Sequence, residues 1–365
     1  MEVLRLENVY KNYGKVEAIK DLSFSCVEGE LFIILGPSGA GKTTTLKMIS
    51  GLEEVTKGKI FIKNKLVNHL EPKDRKVSMV FEDYALYPHL TVYKNISSPL
   101  GAIGISKEEV DKKVKETARL LQIEELLSRL PSTISGGQKQ RTVLARSLVK
   151  DADEYLMDEP IAHLDAKLRY NMRGEFKRLQ QLHKMSILYV THDFKEALSL
   201  GNRILVLNKG VTQQIGTPQE IFSKPANTFI ANLIGDPPTN LIEGNLKSKE
   251  GKYFFQTDSA FINLSDSLAN KLLSKVKNGK VIFGIRPFDL QCILGHKDNV
   301  KIPDIEVYVT VTIGKYNLIS VKLGNTIIKI RKDKSFKVSI GDKMSIDFEE
   351  EKLDFFDAIS GNRIF

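Results

Sequence analysis

The stretch G-P-S-G-A-G-K-T, residues 36–43, is the most informative part of this 365-residue chain. It follows the apolar run L-F-I-I-L (31–35) and precedes a segment with a helical pattern, which is the context that a phosphate-binding G-x-x-x-x-G-K-[ST] loop requires. Its glycines let successive backbone N–H groups turn toward phosphate oxygens, and the amino end of the following helix adds a favourable dipole. The stretch predicts a nucleoside triphosphate site, with Lys42 at the β- and γ-phosphates and Thr43 at Mg²⁺.

The composition limits the class of protein. Hydrophobic residues make up 42% and charged residues 27%, a balance typical of globular chains, and the length favours two domains. The longest apolar run, residues 31–35, is far shorter than the roughly 20 residues that span a bilayer. The first residues, M-E-V-L-R-L-E, lack the order of a signal peptide. Because Cys26 and Cys292 are far apart in sequence, we expect no disulfide framework and a reducing, cytosolic compartment.

The net charge of +9 raises nucleic acid as a possible partner. A nucleic-acid footprint is usually a clustered basic patch, whereas here the excess of Lys and Arg is spread over the chain with no basic tail. We therefore expect a slightly basic solvated surface and no nucleic-acid partner.

The pattern of the chain changes near residue 236. Residues 1–235 alternate short apolar strands with helical segments, which is typical of α/β architecture with a largely parallel sheet. Beyond the proline-rich segment 216–238, strands separated by turns predict an all-β domain. The predicted domains are therefore 1–235 and 236–365.

An acidic pair ends the predicted strand in L-M-D-E-P, residues 156–160. Asp158 is suited to hold Mg²⁺ through water, and Glu159 to polarise the attacking water. Alone, such a pair could be a solvated strand end. Together with the phosphate-binding loop it predicts a hydrolytic site.

The segment I-S-G-G-Q-K-Q-R, residues 134–141, predicts a second anion-binding helix start. Ser135 is placed as the N-cap, with two glycines directly after it. Read without the other motifs, this is an ordinary helix-opening turn. It has no triphosphate loop of its own, so its anion must come from elsewhere.

His192, in Y-V-T-H-D, directly follows a predicted strand. A lone histidine is usually incidental, but this one lies one predicted strand beyond the acidic pair.

In order and spacing, these motifs resemble those of the ATPase subunit of an ABC transporter, and the resemblance covers essentially the whole chain. It implies that the signature helix of one subunit caps the γ-phosphate held by the P-loop of another, which supplies the anion for Ser135, Gly137 and Gln138. A homodimer or pseudo-dimer that sandwiches two ATP molecules follows. Tyr13, in K-N-Y-G, matches the aromatic residue on which adenine stacks, and Asp165, in H-L-D-A, matches the loop that couples the two sites.

The resemblance predicts an α/β P-loop ABC ATPase core with a helical subdomain at about residues 84–150, followed by an all-β OB-fold-type C-terminal domain. It assigns catalysis of ATP hydrolysis to Glu159, His192 and Glu82. Mg²⁺ is assigned to Thr43, Glu82 and Asp158. The residues assigned to ATP are Tyr13, Gly36, Pro37, Ser38, Gly39, Ala40, Gly41, Lys42, Thr43, Thr44, Ser135, Gly137, Gln138 and Asp165.

The C-terminal segments 235–244, 283–290 and 355–361 look like the tandem OB-type regulatory domain of maltose-type importers. Resemblance to that subgroup implies import of a solute, with a sugar as the best guess. It also implies two membrane permease subunits, an external solute-binding protein, and a peripheral position at the cytoplasmic face of the cell membrane.

Two alternatives lie in other functional classes. An ABC ATPase acting on DNA carries long coiled-coil or zinc-finger insertions, whereas residues 44–134 are compact and contain no C-x-x-C pair. In the second alternative, the chain is a binding module. Its main function is then the sensing of a small anion or a partner by the C-terminal domain, and ATP hydrolysis is only regulatory. That alternative stays open from the sequence.

The sequence departs from the family pattern at three positions. Glu154 opens an otherwise apolar strand, and Ala162 stands where the family has a serine. Glu82 stands where the family has a glutamine, at the hinge of the Q-loop that joins the core to the helical subdomain. The aromatic stretch Tyr84 to Leu90, directly after this hinge, is where a permease helix is expected to dock.

Overall fold

The computed structural model describes residues 1–81, 86–101, 104–162, 164–249, 252–276, 279–298 and 300–365. Within these ranges the chain divides into two compact units, Met1–Pro218 and Gln219–Phe365. The sequence placed the boundary at 235/236. Residues 219–235 lie in the second unit because they are hydrogen-bonded to it: the Arg286 guanidinium donates to the carbonyls of Phe222 and Ile234, and the Arg363 amide donates to the carbonyl of Ala226.

The first unit is built on a largely parallel sheet with strand order β10-β9-β3-β8-β7-β6, in which only β10 is antiparallel to its neighbour. All five residues of β3, β7 and β8 are buried, as expected for strands covered on both faces. The strands are β3 (Leu31–Leu35), β6 (Val77–Val80), β7 (Glu154–Asp158), β8 (Ile187–Thr191), β9 (Arg203–Asn208) and β10 (Val211–Gly216).

An antiparallel sheet, with strand order β2-β1-β4-β5, completes the strands of this unit. Its buried side chains share one core with β3 and with the helix after the P-loop, and the rings of Phe24 and Phe32 stack at 5.1 Å. The strands are β1 (Glu2–Tyr13), β2 (Val16–Val27), β4 (Lys57–Ile62) and β5 (Lys65–Leu66).

The helices of the first unit cover the parallel sheet or form a subdomain of their own. Those between residues 92 and 148 pack on one another and fall inside the predicted helical range. Among the described helices, none combines the length and the hydrophobicity that a bilayer span requires. The helices are α1 (Lys42–Ser50), α2 (Val92–Ser97), α3 (Lys107–Leu120), α4 (Gly136–Leu148), α5 (Ala166–His183) and α6 (Phe194–Leu200).

The second unit contains antiparallel sheets with strand orders β13-β12-β11-β14-β20 and β15-β19-β16-β17-β18. The unit is mostly β-sheet, as predicted, but it also contains short helices. These are α7 (Pro218–Ser223), α8 (Thr228–Leu233) and α9 (Asp266–Leu273). The strands are β11 (Asn240–Lys249), β12 (Lys252–Gln256), β13 (Phe261–Leu264), β14 (Lys280–Ile285), β15 (Gln291–Leu294), β16 (Ile302–Ile313), β17 (Tyr316–Leu323), β18 (Thr326–Asp333), β19 (Lys343–Asp347) and β20 (Asp354–Asp357).

Candidate nucleotide-binding and hydrolysis site

The P-loop joins the end of β3 to the start of α1, and its glycines are required by close backbone approaches. A Cβ atom on Gly36 would lie 2.3 Å from the carbonyl oxygen of Leu207, and one on Gly41 would lie 2.5 Å from Cδ1 of Ile19. Gly41 also has a φ of +104°, a conformation that favours glycine. The loop therefore has the tight backbone that a phosphate cradle needs.

A cavity of about 410 Å³ opens beside this loop. One wall is formed by the P-loop and the first residues of α1, and the opposite wall comes from β2 and from the turn after β9. Lys20 and Lys209 add positive charge that the sequence motifs did not predict, because they lie outside the motifs, on β2 and in the turn after β9. The lining residues are Val16, Glu17, Ala18, Lys20, Gly39, Gly41, Lys42, Thr43, Thr44 and Lys209.

Tyr13 lies at the end of the β1–β2 hairpin, paired with the cavity-lining Val16. Its side chain is 43% exposed, and the Lys11 ammonium lies 4.8 Å from the ring centroid. An exposed ring beside the cavity has the position that adenine stacking needs, and that role stays a prediction.

The acidic pair at the end of β7 faces the P-loop. Thr43 Oγ1 donates a hydrogen bond to Asp158 Oδ1 at 3.2 Å. The Lys42 ammonium, only 6% exposed, lies 3.5 Å from Glu159 Oε1 and donates to the carbonyl of Pro37 at 3.2 Å. The parallel sheet thus brings together side chains that lie far apart in the sequence.

Glu159 is also paired with His192, which follows β8. The His192 Nδ1 atom lies 2.6 Å from Glu159 Oε2. An ionised carboxylate can only accept, so Nδ1 carries the proton in this contact. Glu159 has a φ of +46°, and a non-glycine residue in this region costs about 1–3 kcal/mol, a strain that clusters at functional sites. The side chain is therefore held between an ammonium and an imidazole.

The helix α4 begins at the predicted place. Ser135 Oγ accepts from the Gln138 amide at 3.4 Å, while Gln138 Oε1 accepts from the Ser135 amide at 2.9 Å, which makes a complete capping box. Gly136 has open space where a Cβ atom would be, whereas a Cβ atom on Gly137 would lie 2.4 Å from Leu168 Cδ2. The helix start thus presents an exposed Ser135 and open backbone, suited to an anion from outside.

Comparison with known proteins decides the family. A family model described as ABC transporter matches residues 19–162. The chain is 39% identical to the trehalose/maltose import ATP-binding protein MalK of Thermococcus litoralis and 40% identical to the oligosaccharides import ATP-binding protein MsmX of Bacillus subtilis, in each case over 100% of both chains. This chain belongs to the ABC transporter family.

Solved structures of ABC ATPases share the fold of the cassette. The dimeric, post-hydrolysis structure of the ATP-binding cassette MJ0796 bound to ADP and Pi is 31% identical, with a TM-score of 0.54, and covers 59% of this chain and 98% of that one. The cbiO1 structure from Clostridium perfringens is 26% identical, with a TM-score of 0.57, over 61% and 91%. The chain is an ABC-type ATPase, which hydrolyses ATP to ADP and phosphate.

The structure places some of the remaining predicted residues of this ABC ATPase, and others lie outside the described ranges. Asp165 is the N-cap of α5 and accepts from the Leu168 amide at 2.9 Å, so a capping contact is certain and the coupling role stays a prediction. Ala162 is half-buried, and its amide donates to the carbonyl of Glu159. Glu82 and Tyr84 lie outside the described residues.

The oxygens of Thr43 and Asp158 fit a Mg²⁺ site of the ABC type. A hydroxyl and a carboxylate oxygen are the hard ligands that Mg²⁺ prefers, with the other positions filled by phosphate and water. Among the described residues there is no cluster of three or more His, Cys, Asp or Glu that could hold a metal by itself. The donor set therefore fits a metal that arrives with the nucleotide.

Proposed function

We propose that this chain is the subunit that powers the import of a solute, a sugar, by ATP-driven closure of a dimer against two membrane permease subunits. The observation that carries the proposal is the position of Glu159, held between Lys42 of the P-loop and His192. A carboxylate there can accept a proton from a water molecule aligned with the γ-phosphate. Lys42 then neutralises charge on the phosphates.

Import of a sugar is supported by similarity over the full length, the second unit included. Relatives that match all of this chain carry the names trehalose/maltose import, oligosaccharides import and sn-glycerol-3-phosphate import ATP-binding protein. Since the cargo touches the permease and the external binding protein, the cargo of this chain is proposed by relationship. The chain would sit at the cytoplasmic face of the membrane, bound to permease subunits.

The dimer is proposed because each helix start at Ser135 requires an anion that its own subunit does not supply. Two ATP molecules with Mg²⁺ would fill the interface. Thr43 and Asp158 would hold the metal, which would reduce the negative charge of the phosphates that the attacking water must approach. Tyr13 would stack on adenine, and Gly137 and Gln138 would help to cap the γ-phosphate of the other subunit.

The proposal is tested by measurements of solute uptake. Disruption of the gene in its host should abolish uptake of radiolabelled maltose or trehalose, and the wild-type gene, but not a Glu159→Gln copy, should restore it. Uptake of a labelled amino acid is the control. Loss of glycerol phosphate uptake with intact sugar uptake would show that the imported solute is glycerol phosphate and not a sugar. Intact uptake of all these solutes would contradict the import proposal.

A further inference from the structure

The guanidinium of Arg169, in the first turn of α5, connects the two loops that carry Glu159 and His192. Its Nη2 donates to the carbonyl of Leu164 at 2.9 Å and to that of Ala162 at 3.3 Å. Its Nη1 lies 3.8 Å from Asp193 Oδ2. The side chain is mostly buried and takes no part in the P-loop cavity.

These contacts close a ring. The Ala162 amide donates to the carbonyl of Glu159 at 3.2 Å, and the Ala162 carbonyl accepts from Arg169. Arg169 pairs with Asp193, the neighbour of His192, and His192 returns to Glu159 at 2.6 Å. The Glu159–His192 pair is therefore part of a closed ring of contacts, and Arg169 completes that ring on the side away from the pair.

The loop that carries His192 is held by hydrogen bonds where Arg169 meets it. The Asp193 amide donates to Thr191 Oγ1 at 3.0 Å, and Thr191 Oγ1 donates to Glu196 Oε2 at 2.9 Å. Burial raises the pKa of the Glu196 carboxyl, and the nearby Arg169 charge acts in the opposite direction by favouring its ionised form. A movement of Arg169 would therefore be transmitted to the backbone on both sides of His192.

We propose that Arg169 is a positioning residue for ATP hydrolysis, which sets the separation between Glu159 and His192 without touching the nucleotide. Arginine suits this position because its planar fork can donate to carbonyls and to a carboxylate at once, whereas a lysine ammonium is a single point charge on a flexible stem. The proposal rests on Glu159 and His192 acting in hydrolysis and is independent of which solute is imported.

The first test is Arg169→Gln in the full chain, compared with Arg169→Lys. We expect kcat for ATP to fall about tenfold in the glutamine variant and less in the lysine variant, while KM stays within twofold because the cavity lining is untouched. The matched control is Arg178→Gln on the same helix, where the exposed guanidinium bonds only to Glu175 among the contacts described. The control should keep kcat within twofold.

The second test separates positioning from general destabilisation. In a His192→Ala background, measured by single turnover with enzyme in excess, Arg169→Gln should cost less than twofold because the pair that it positions is already gone. A merely structural role would cost the same tenfold in both backgrounds, and that result would overturn the proposal. Unchanged kcat in Arg169→Gln would overturn it as well.

Folding and the proposed hydrolytic site are checked separately. Thermal unfolding and binding of a fluorescent ATP analogue show whether each variant folds, and if Arg169→Gln does not fold, Arg169→Lys enters the same two backgrounds. An inactive Glu159→Gln with a normal Arg169→Gln would reject the positioning role alone. A fully active Glu159→Gln would reject the hydrolytic site on which the proposal rests.

Discussion

Lys42 and Glu159 face each other across the mouth of the P-loop, with the ammonium nitrogen 3.5 Å from a carboxylate oxygen. A triphosphate held by Lys42 would share this ammonium with Glu159, so the carboxylate that we propose as general base would lie next to the γ-phosphate. The contact connects the phosphate cradle at the end of β3 with the acidic end of β7, although β8 lies between these strands in the sheet.

Glu159→Gln should retain ATP binding and lose turnover, by at least a hundredfold, because an amide cannot accept the proton of the attacking water. ATP should then trap a dimer that is visible by size-exclusion chromatography, and wild-type hydrolysis should rise more than linearly with protein concentration. Glu175→Gln is the control, at a half-buried glutamate on α5 that is paired with Arg178. Turnover near the wild-type rate in Glu159→Gln would show that another group polarises the water.

The described part of the stretch that is predicted to dock a permease helix is held in place by the side chain of Asn95. The fully buried Asn95 side chain accepts from the Tyr87 amide at 2.8 Å and donates to the carbonyls of Tyr87, Leu90 and Thr91 at 3.0–3.1 Å. Tyr87 is thereby presented with 48% of its surface exposed, while Leu86 is half-buried. Tyr87 is therefore a cleaner site for a test than Leu86.

Tyr87→Asp should reduce solute uptake at least tenfold and leave the ATPase of the isolated subunit within twofold. Burial of one such side chain at an interface is worth about 1.5–3 kcal/mol, which an aspartate would forfeit. Tyr170→Asp, at a ring that is 72% exposed on α5, is the matched control and should leave uptake intact. Loss of soluble ATPase in Tyr87→Asp would mean that the ring stabilises the fold.

Glu154 should make the stability of the chain depend on pH. It is fully buried at the start of β7, and neither carboxyl oxygen has a hydrogen-bond partner among the described residues. Burial, and then the charge of Glu30, raise the pKa of Glu154 well above its ordinary value of 4.5. The unfolded chain therefore releases this proton first, so the free energy of unfolding decreases as pH rises from about 4.5 toward the raised pKa.

Glu154→Gln is neutral at every pH and should remove this dependence. We expect the melting temperature of the variant, relative to wild type, to be clearly higher at pH 8 than at pH 5. Glu71→Gln, at an exposed position, is the control and should show no such trend. An equal difference in melting temperature at both pH values would mean that Glu154 titrates normally in the folded chain.

Glu82 lies outside the described residues, so its prediction rests on chemistry alone. A glutamate keeps the oxygen ligand for Mg²⁺ but loses the amide donor, and it adds negative charge near the γ-phosphate. Glu82→Gln should raise basal ATP turnover about tenfold, or about 1.4 kcal/mol of barrier, and should weaken the dependence on Mg²⁺ concentration. Equal turnover and equal Mg²⁺ dependence in the two proteins would leave Glu82 without a catalytic role.

Features that depend on local chemistry could be predicted from the residues alone. The P-loop was predictable because glycines and a lysine at fixed spacing define a backbone conformation, and the cap at Ser135 because its partner is three residues away. The strand 31–35 was predicted at its observed bounds because it is an uninterrupted apolar run.

Which of these features lie close together depends on the folded chain. The strand order β7-β8-β3 brings Glu159 to Lys42 and His192, and the bend of the chain after β7 brings the carbonyls of Ala162 and Leu164 to Arg169. No sequence pattern predicts the positioning role that we propose for Arg169. An arginine in the first turn of a helix is common, and two of its partners here are backbone carbonyls. Distances between residues that are distant in sequence depend on how strands are ordered and packed, and that order is a property of the whole fold.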